Sequence, residues 1–219
     1  MNLQRGYSLI ELVVVILIIG ILLAGLAIPL SSQVRTARVQ QAQTQLERIK
    51  DALVGYAIAD PNRRLPCPDQ DGDGQADADG SAPDPCDNPS FVEGDLPWAD
   101  LGIGRRDPWG NPYRYRANNA YTAVTGVPDP PDTTGTLSVK NFARTDTLTV
   151  GSPNGPAAIV FSTGPNQLAD RDNLKDAALP NSNDVYTQDL TNDAFDDILV
   201  ILSKNVFINR LVQSRKWPP

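Results

Sequence analysis

The side chains with chemistry to offer are carboxylates, and they are bunched. Between Asp60 and Asp100 the chain carries eleven acids against two arginines, within a net charge of −7, so the remainder is slightly basic. Inside that stretch Asp69, Asp71, Asp73 and Asp77 fall at relative positions 1, 3, 5 and 9, with Gly74 at position 6. This is the first part of an EF-hand loop, where alternate residues turn oxygens toward one hard cation. Position 12 is Gly80 instead of a bidentate Glu, and no flanking helix is expected. The segment therefore reads as a related Asp-rich calcium loop, with Gln75 lending its carbonyl, or as a solvated acidic loop. A second set of acids, Asp170, Asp172, Asp184, Asp196 and Asp197, gathers near the carboxy terminus.

One further carboxylate stands apart. Glu11 sits at the head of an apolar run, and a charge that enters lipid is costly enough to need a purpose. Its alternatives are an assembly contact and an interfacial Glu whose carboxylate reaches back to water. The chain has no histidine, which removes the commonest general base and the commonest zinc ligand. Ser162 and Ser203 lack a partner base or a nucleophile elbow, so no catalytic constellation is evident. Trp98, Trp109, Tyr113 and Tyr115 read as core and turn packing, with a binding groove as the less favoured reading. Acidity confined to one loop argues against nucleic acid, which needs a basic face.

The elements that position these groups follow from periodicity. Leu12 to Leu30 is nineteen residues, all apolar or glycine apart from Pro29. At 1.5 Å per residue that approaches the roughly 30 Å thickness of a bilayer core. From Ser31 onward Val34, Val39, Ala42, Leu46, Ile49, Leu53 and Tyr56 mostly recur at steps of three and four, the mark of an amphipathic helix. One helix is thus expected from about Tyr7 to about Ala57, roughly 75 Å long. Residues 61–112 read mainly as loop. Tyr113–Arg116, Thr147–Val150, Ala157–Phe161 and Ile198–Leu202 are strand candidates, and Asn205–Ser214 a closing helix. The predicted fold is α+β: a long amino-terminal helix laid on a small antiparallel sheet of three or four strands.

The string Gly6-Tyr7-Ser8-Leu9-Ile10-Glu11-Leu12-Val13-Val14-Val15-Ile16 resembles the start of the type IV pilins and type II secretion pseudopilins. Tyr7 stands where the family most often has Phe, and Pro29 falls about one residue late. The resemblance implies that residues 1–6 are a leader cut after Gly6 by a prepilin peptidase, with N-methylation of Tyr7. Residues 7–30 would then be a transmembrane and filament-core helix with a cytoplasmic amino terminus. Residues 31–57 would be its amphipathic continuation, and 58–219 a periplasmic or extracellular globular domain. It also implies that Glu11 neutralises the amino terminus of a neighbouring subunit. The implied partners are other pilin or pseudopilin subunits and an inner-membrane assembly platform.

Two cysteines, Cys67 and Cys86, lie nineteen positions apart. In an exported domain they read as a disulfide, the alternative being two free thiols. Asp107-Pro108-Trp109-Gly110-Asn111-Pro112-Tyr113-Arg114-Tyr115 resembles a segment of type II secretion pseudopilins. Ser162-Thr163-Gly164-Pro165-Asn166 and Asp196-Asp197-Ile198 resemble the carboxy-terminal calcium loop of that family. Leu65-Pro66-Cys67-Pro68-Asp69, with Leu96-Pro97-Trp98, is similar to a less characterised group of pilin-like proteins. The function implied is a non-enzymatic structural subunit of a type IV filament, either secretion pseudopilus or pilus. The alternative is a calcium-dependent adhesion module displayed on the same anchor.

Overall fold

The computed structural model describes residues 8–77, 86, 93–127, 137–141, 143, 147–149, 155–174, 184–192 and 194–217, without the side chains of 24–32 and 147–149. Contacts divide the chain into two units, Met1–Gln40 and Gln41–Pro219. The first unit is helical from Leu9 onward. Helix α1 spans Leu9–Ala59, 51 residues, with Glu11 in its first turn. Its apolar side chains from Leu9 to Leu23 are exposed. Among the described residues no helix is long and apolar enough to cross a membrane; the expected span continues into 24–32, whose side chains lie outside the described residues.

The carboxy-terminal part of α1 belongs to the second unit. There Ala42, Leu46, Ile49, Leu53 and Ala57 are buried, at steps of four, three, four and four. Ala42, Leu46, Ile49 and Leu53 belong to the stripe expected from periodicity; of its other members Val39 and Tyr56 are half-buried and Val34 is exposed, while Ala57 joins the buried face. The Tyr113 hydroxyl donates to Gln45 Oε1 at 2.5 Å, tying the helix to the segment that follows the Asp107–Pro112 turn. Pro61, which has no amide proton, follows the last turn, and Asn62 N donates to Asp60 Oδ1 at 2.7 Å to turn the chain away.

The main sheet has four antiparallel strands in the order β1-β2-β5-β7. They are β1 (Glu93–Asp95), β2 (Arg114–Ala117), β5 (Pro156–Ser162) and β7 (Ile198–Ser203). Every residue of β5 is buried, which is why its sequence is an unbroken apolar run up to the closing Ser162 instead of an alternation. A second sheet of three strands, in the order β4-β3-β6, is made of β3 (Ser138–Lys140), β4 (Thr147–Thr149) and β6 (Val185–Thr187). Leu137, Val139 and Tyr186 pack with Ile159, Phe161 and Leu199 in one core cluster, where Phe161 and Tyr186 meet edge to face at 6.1 Å.

Helix α2 (Lys204–Gln213) closes the chain. Ser203 caps it by accepting from Val206 N at 3.3 Å. Phe207 and Leu211, one turn apart, are its buried pair, and Phe207 meets Tyr121 edge to face at 5.7 Å.

The α+β class, the long helix, β2, β5, β7 and α2 match the sequence expectation. Two points are corrected. The Thr147 strand lies in the second sheet, where β3 and β6 run parallel, so the β-structure is not one antiparallel sheet. Strands β1, β3 and β6 were not expected at all. Each has three residues, too few to show a period of two.

Candidate functional site

The Asp-rich loop folds around its first residue. Asp69 is buried, 1% exposed, and bridges to β1 by reciprocal backbone bonds with Asp95 of 2.9 and 2.8 Å. Its Oδ1 accepts from Gly72 N at 2.6 Å and its Oδ2 from Gly74 N at 2.8 Å. Gly72 and Gly74 have φ of +81° and +93°, a region open to glycine at little cost. A Cβ on Gly74 would also lie 2.4 Å from the Trp98 ring. Asp77 Oδ2 accepts from Gln70 N at 2.6 Å, folding the loop back on itself. Asp69, Asp71 and Asp77 can each place one oxygen within 4.8 Å of the others. Asp73 and Gln75 face each other instead, the Gln75 amide donating to Asp73 Oδ2 at 2.7 Å. Burial raises the Asp69 pKa, against the lowering effect of the Gly72 and Gly74 amides.

Beside this loop Cys67 and Cys86 form a disulfide with Cα atoms 5.6 Å apart. The bridge closes a loop across nineteen positions, stabilising the fold by roughly 3 kcal/mol in the chain-entropy account.

The second acidic set contracts to three residues. Asp170, Asp196 and Asp197 each bring a carboxylate oxygen within 4.8 Å of the other two. Asp172 and Asp184 are placed elsewhere: Asp172 accepts from Thr187 Oγ1 at 3.3 Å, and Asp184 pairs with Arg116 at 2.9 Å. The three acids are interlocked through backbone amides. Asp170 N donates to Asp197 Oδ2 at 2.8 Å, and Asp196 N donates to Asp170 Oδ2 at 2.9 Å. Asn166 N donates to Asp196 Oδ2 at 3.1 Å, and Asn173 Nδ2 donates to Asp197 Oδ2 at 2.8 Å.

Each of Asp196 and Asp197 is left with a buried Oδ1 that accepts nothing. Asp197 is only 1% exposed. Buried carboxylate oxygens are normally satisfied, and desolvating one without a partner is expensive. The electrostatics agree: burial, then the neighbouring charges of Asp170 and Asp196, push Asp197 up to about 7. Burial and Asp170 likewise raise Asp196. A hard divalent cation would offset most of the charge of the three carboxylates, and an all-oxygen donor set suits such an ion.

The other sequence-designated residues are placed as follows. Gly6 and Tyr7 lie outside the described residues. Glu11 is exposed in the first turn of α1. Tyr113 and Tyr115 are core residues, 2% and 0% exposed, which favours packing over a binding groove. Ser162 is buried and donates to Asp107 Oδ2 at 2.5 Å, and Ser203 is the α2 cap. Neither has nucleophile geometry.

Beyond the Ser162–Asn166 string, sequence reasoning missed the polar support around the three acids: Asp107, Asn111 and Asn173. The available signal was the density of turn residues from Asp107 to Pro112, which marks a tight turn but not what it holds.

The model of the prokaryotic N-terminal methylation motif matches residues 1–27. Over 115 residues the chain is 34% identical to type II secretion system core protein G of Aeromonas hydrophila, an alignment covering 51% of this chain and 71% of that protein. No solved structure matches. Neither match lends support to an adhesion module. With its helix-led α+β fold, its methylation motif and this relative, the chain belongs to the type IV pilin and pseudopilin superfamily and is a structural subunit of a pilus or pseudopilus.

Proposed function

We propose that the chain is a pseudopilin of a type II secretion system, with a calcium ion held by its carboxy-terminal acids. The observation that carries the first part is the methylation motif over residues 1–27, joined to a relative that is itself a type II secretion protein. On this reading a prepilin peptidase cuts after Gly6, because a side chain there would crowd the scissile bond. Tyr7 then becomes the N-methylated terminus. The precursor waits in the bacterial inner membrane with its globular domain in the periplasm. An assembly platform extracts it to join other subunits, and no enzymatic step belongs to the chain.

Glu11 has a specific task in that transfer. It stands four residues after Tyr7 in sequence, the spacing at which helical side chains become neighbours. Opposite charges attract strongly where water is excluded, and a charge left unpaired there is costly. Pairing Glu11 with the amino terminus of a neighbouring subunit removes both charges from lipid together. Two variants test this in cells. Gly6→Val should accumulate as an uncleaved precursor. Glu11→Val should be cleaved normally but be missing from assembled filaments. Normal incorporation of Glu11→Val would sink the assembly role, and loss of secretion on deletion of the chain is the expected sign of a pseudopilin over a pilus subunit.

The calcium reading rests on the orphan Oδ1 atoms of Asp196 and Asp197. Asp170, Asp196 and Asp197 would hold the ion, which supplies the positive charge that three clustered carboxylates lack. Asp69, Asp71 and Asp77 make a second, weaker group, since both Asp69 oxygens already accept amide protons. Calorimetric titration of the full chain in detergent should give one calcium site, abolished by Asp197→Ala and retained in Asp71→Ala. The reverse pattern would move the ion to the Asp-rich loop.

A further inference from the structure

We propose that the Asp107–Asn111 turn is the positioning element for the carboxy-terminal acidic cluster, acting through Gly164. The proposal rests on the calcium reading of that cluster. Asp107 is buried and holds the turn closed: its Oδ1 accepts from Trp109 N at 2.9 Å and Asn111 N at 2.8 Å. The turn then reaches across 53 positions of sequence, where Asn111 Nδ2 donates to the Gly164 carbonyl at 2.7 Å. A second strut runs through Ser162, whose hydroxyl donates to Asp107 Oδ2 and accepts from Gly164 N at 3.2 Å. Both backbone polar groups of Gly164 are therefore held from the turn.

Gly164 in turn lies directly against the cluster. Its φ is +64°, and a Cβ placed on it would sit 2.4 Å from the Asp196 carbonyl oxygen and 3.0 Å from Asp196 Cγ. Two residues on, Asn166 donates from its backbone to Asp196 Oδ2 and from its side chain to Asp170 Oδ1. The path from turn to carboxylates is thus buried at its start: hydrogen bonds fix Gly164 to the turn, close backbone packing sets Gly164 against Asp196, and Asn166, two residues on, bonds the carboxylates. Nothing in the pull of burial on apolar groups would fix Asp196 to this tolerance. Cation affinity depends on oxygens held in place before the ion arrives, and outer partners of ligands commonly carry tenfold to hundredfold effects. Asp107 and Asn111 do not belong to the ligand set; they act on it at one remove.

The test compares Asn111→Ala and the milder Ser162→Ala with Phe207→Leu, a core change on α2 chosen as a stability control. Calcium affinity is measured by calorimetry on the full chain in detergent, and amide hydrogen exchange is measured without calcium. Expected is a calcium Kd at least tenfold weaker in Asn111→Ala and severalfold weaker in Ser162→Ala. Faster exchange at residues 164–170 should accompany it even in chelator. Phe207→Leu, at a similar loss of melting temperature, should bind as the parent does. Equal calcium affinity in all four chains would overturn the positioning role while leaving the calcium site intact. A parent chain that binds no calcium would overturn the calcium reading, and exchange at 164–170 unchanged in both turn variants would overturn the brace independently of any metal.

Discussion

Replacing Asp197 by Asn should stabilise the calcium-free protein and destabilise the calcium-loaded one relative to the parent. The Asp197 carboxyl is raised from 3.8 to about 7, chiefly by burial. For an acid whose folded pKa lies above its unfolded one, the native state holds the proton more tightly. Stability from this group is full below about 3.8 and is lost as pH rises to about 7. At about 1.4 kcal/mol per tenfold change in proton affinity, the ionised form costs the fold at most on the order of 4 kcal/mol at pH 8. Asn keeps an oxygen for the Asp170 and Asn173 donors and offers its amide to the other two carboxylates, so about half, roughly 2 kcal/mol, should be recovered. Calcium at a thousandfold its Kd stabilises the parent by about 4 kcal/mol, but not the variant. Urea unfolding of the full chain in detergent at pH 8, with chelator and with calcium, should therefore show the order of stability invert. A variant less stable than the parent in chelator, or one still stabilised by calcium, would refute the reasoning.

Other expectations follow from the same contacts. Calcium should bind more weakly as pH falls below about 7, by up to roughly tenfold per pH unit, because protons compete at Asp197; affinity flat from pH 8 to 5.5 would count against it. The double variant Cys67→Ser/Cys86→Ser should lose about 3 kcal/mol in chemical denaturation. Gly74→Ala should cost at least about 2 kcal/mol, from its positive φ and the Trp98 ring at 2.4 Å, whereas Gly104→Ala, with nothing near, should be close to neutral; equal melting points for these two would contradict the packing described.

How much was legible differs by element. The helix stripe Ala42, Leu46, Ile49 and Leu53 repeats over about three turns, so its burial could be read directly. Strands β5 and β7 were legible from their apolar runs Ala157–Phe161 and Ile198–Leu202. The short strands β3 and β6 were not, because their pairing comes from chain segments far apart that meet over one tertiary cluster. The second acidic set was visible as composition, but nothing local separates Asp170, Asp196 and Asp197 from Asp172 and Asp184. Only the fold turns Asp184 to Arg116 and Asp172 to Thr187. The Asp69 loop shows the opposite limit: its spacing pointed to a cation, while the folded chain spends both Asp69 oxygens on its own amides.

The most direct test of the central reading is the mass of the chain recovered from sheared cell-surface filaments and from the inner-membrane fraction. The account predicts a chain that begins at N-methylated Tyr7, two hydrogens lighter for the Cys67–Cys86 bridge, and retained in the membrane fraction as a pseudopilin would be. Mature protein abundant in sheared filaments would make it a pilus subunit instead. A chain still beginning at Met1 in both fractions would contradict processing at Gly6, and with it the assembly mechanism built on Tyr7 and Glu11.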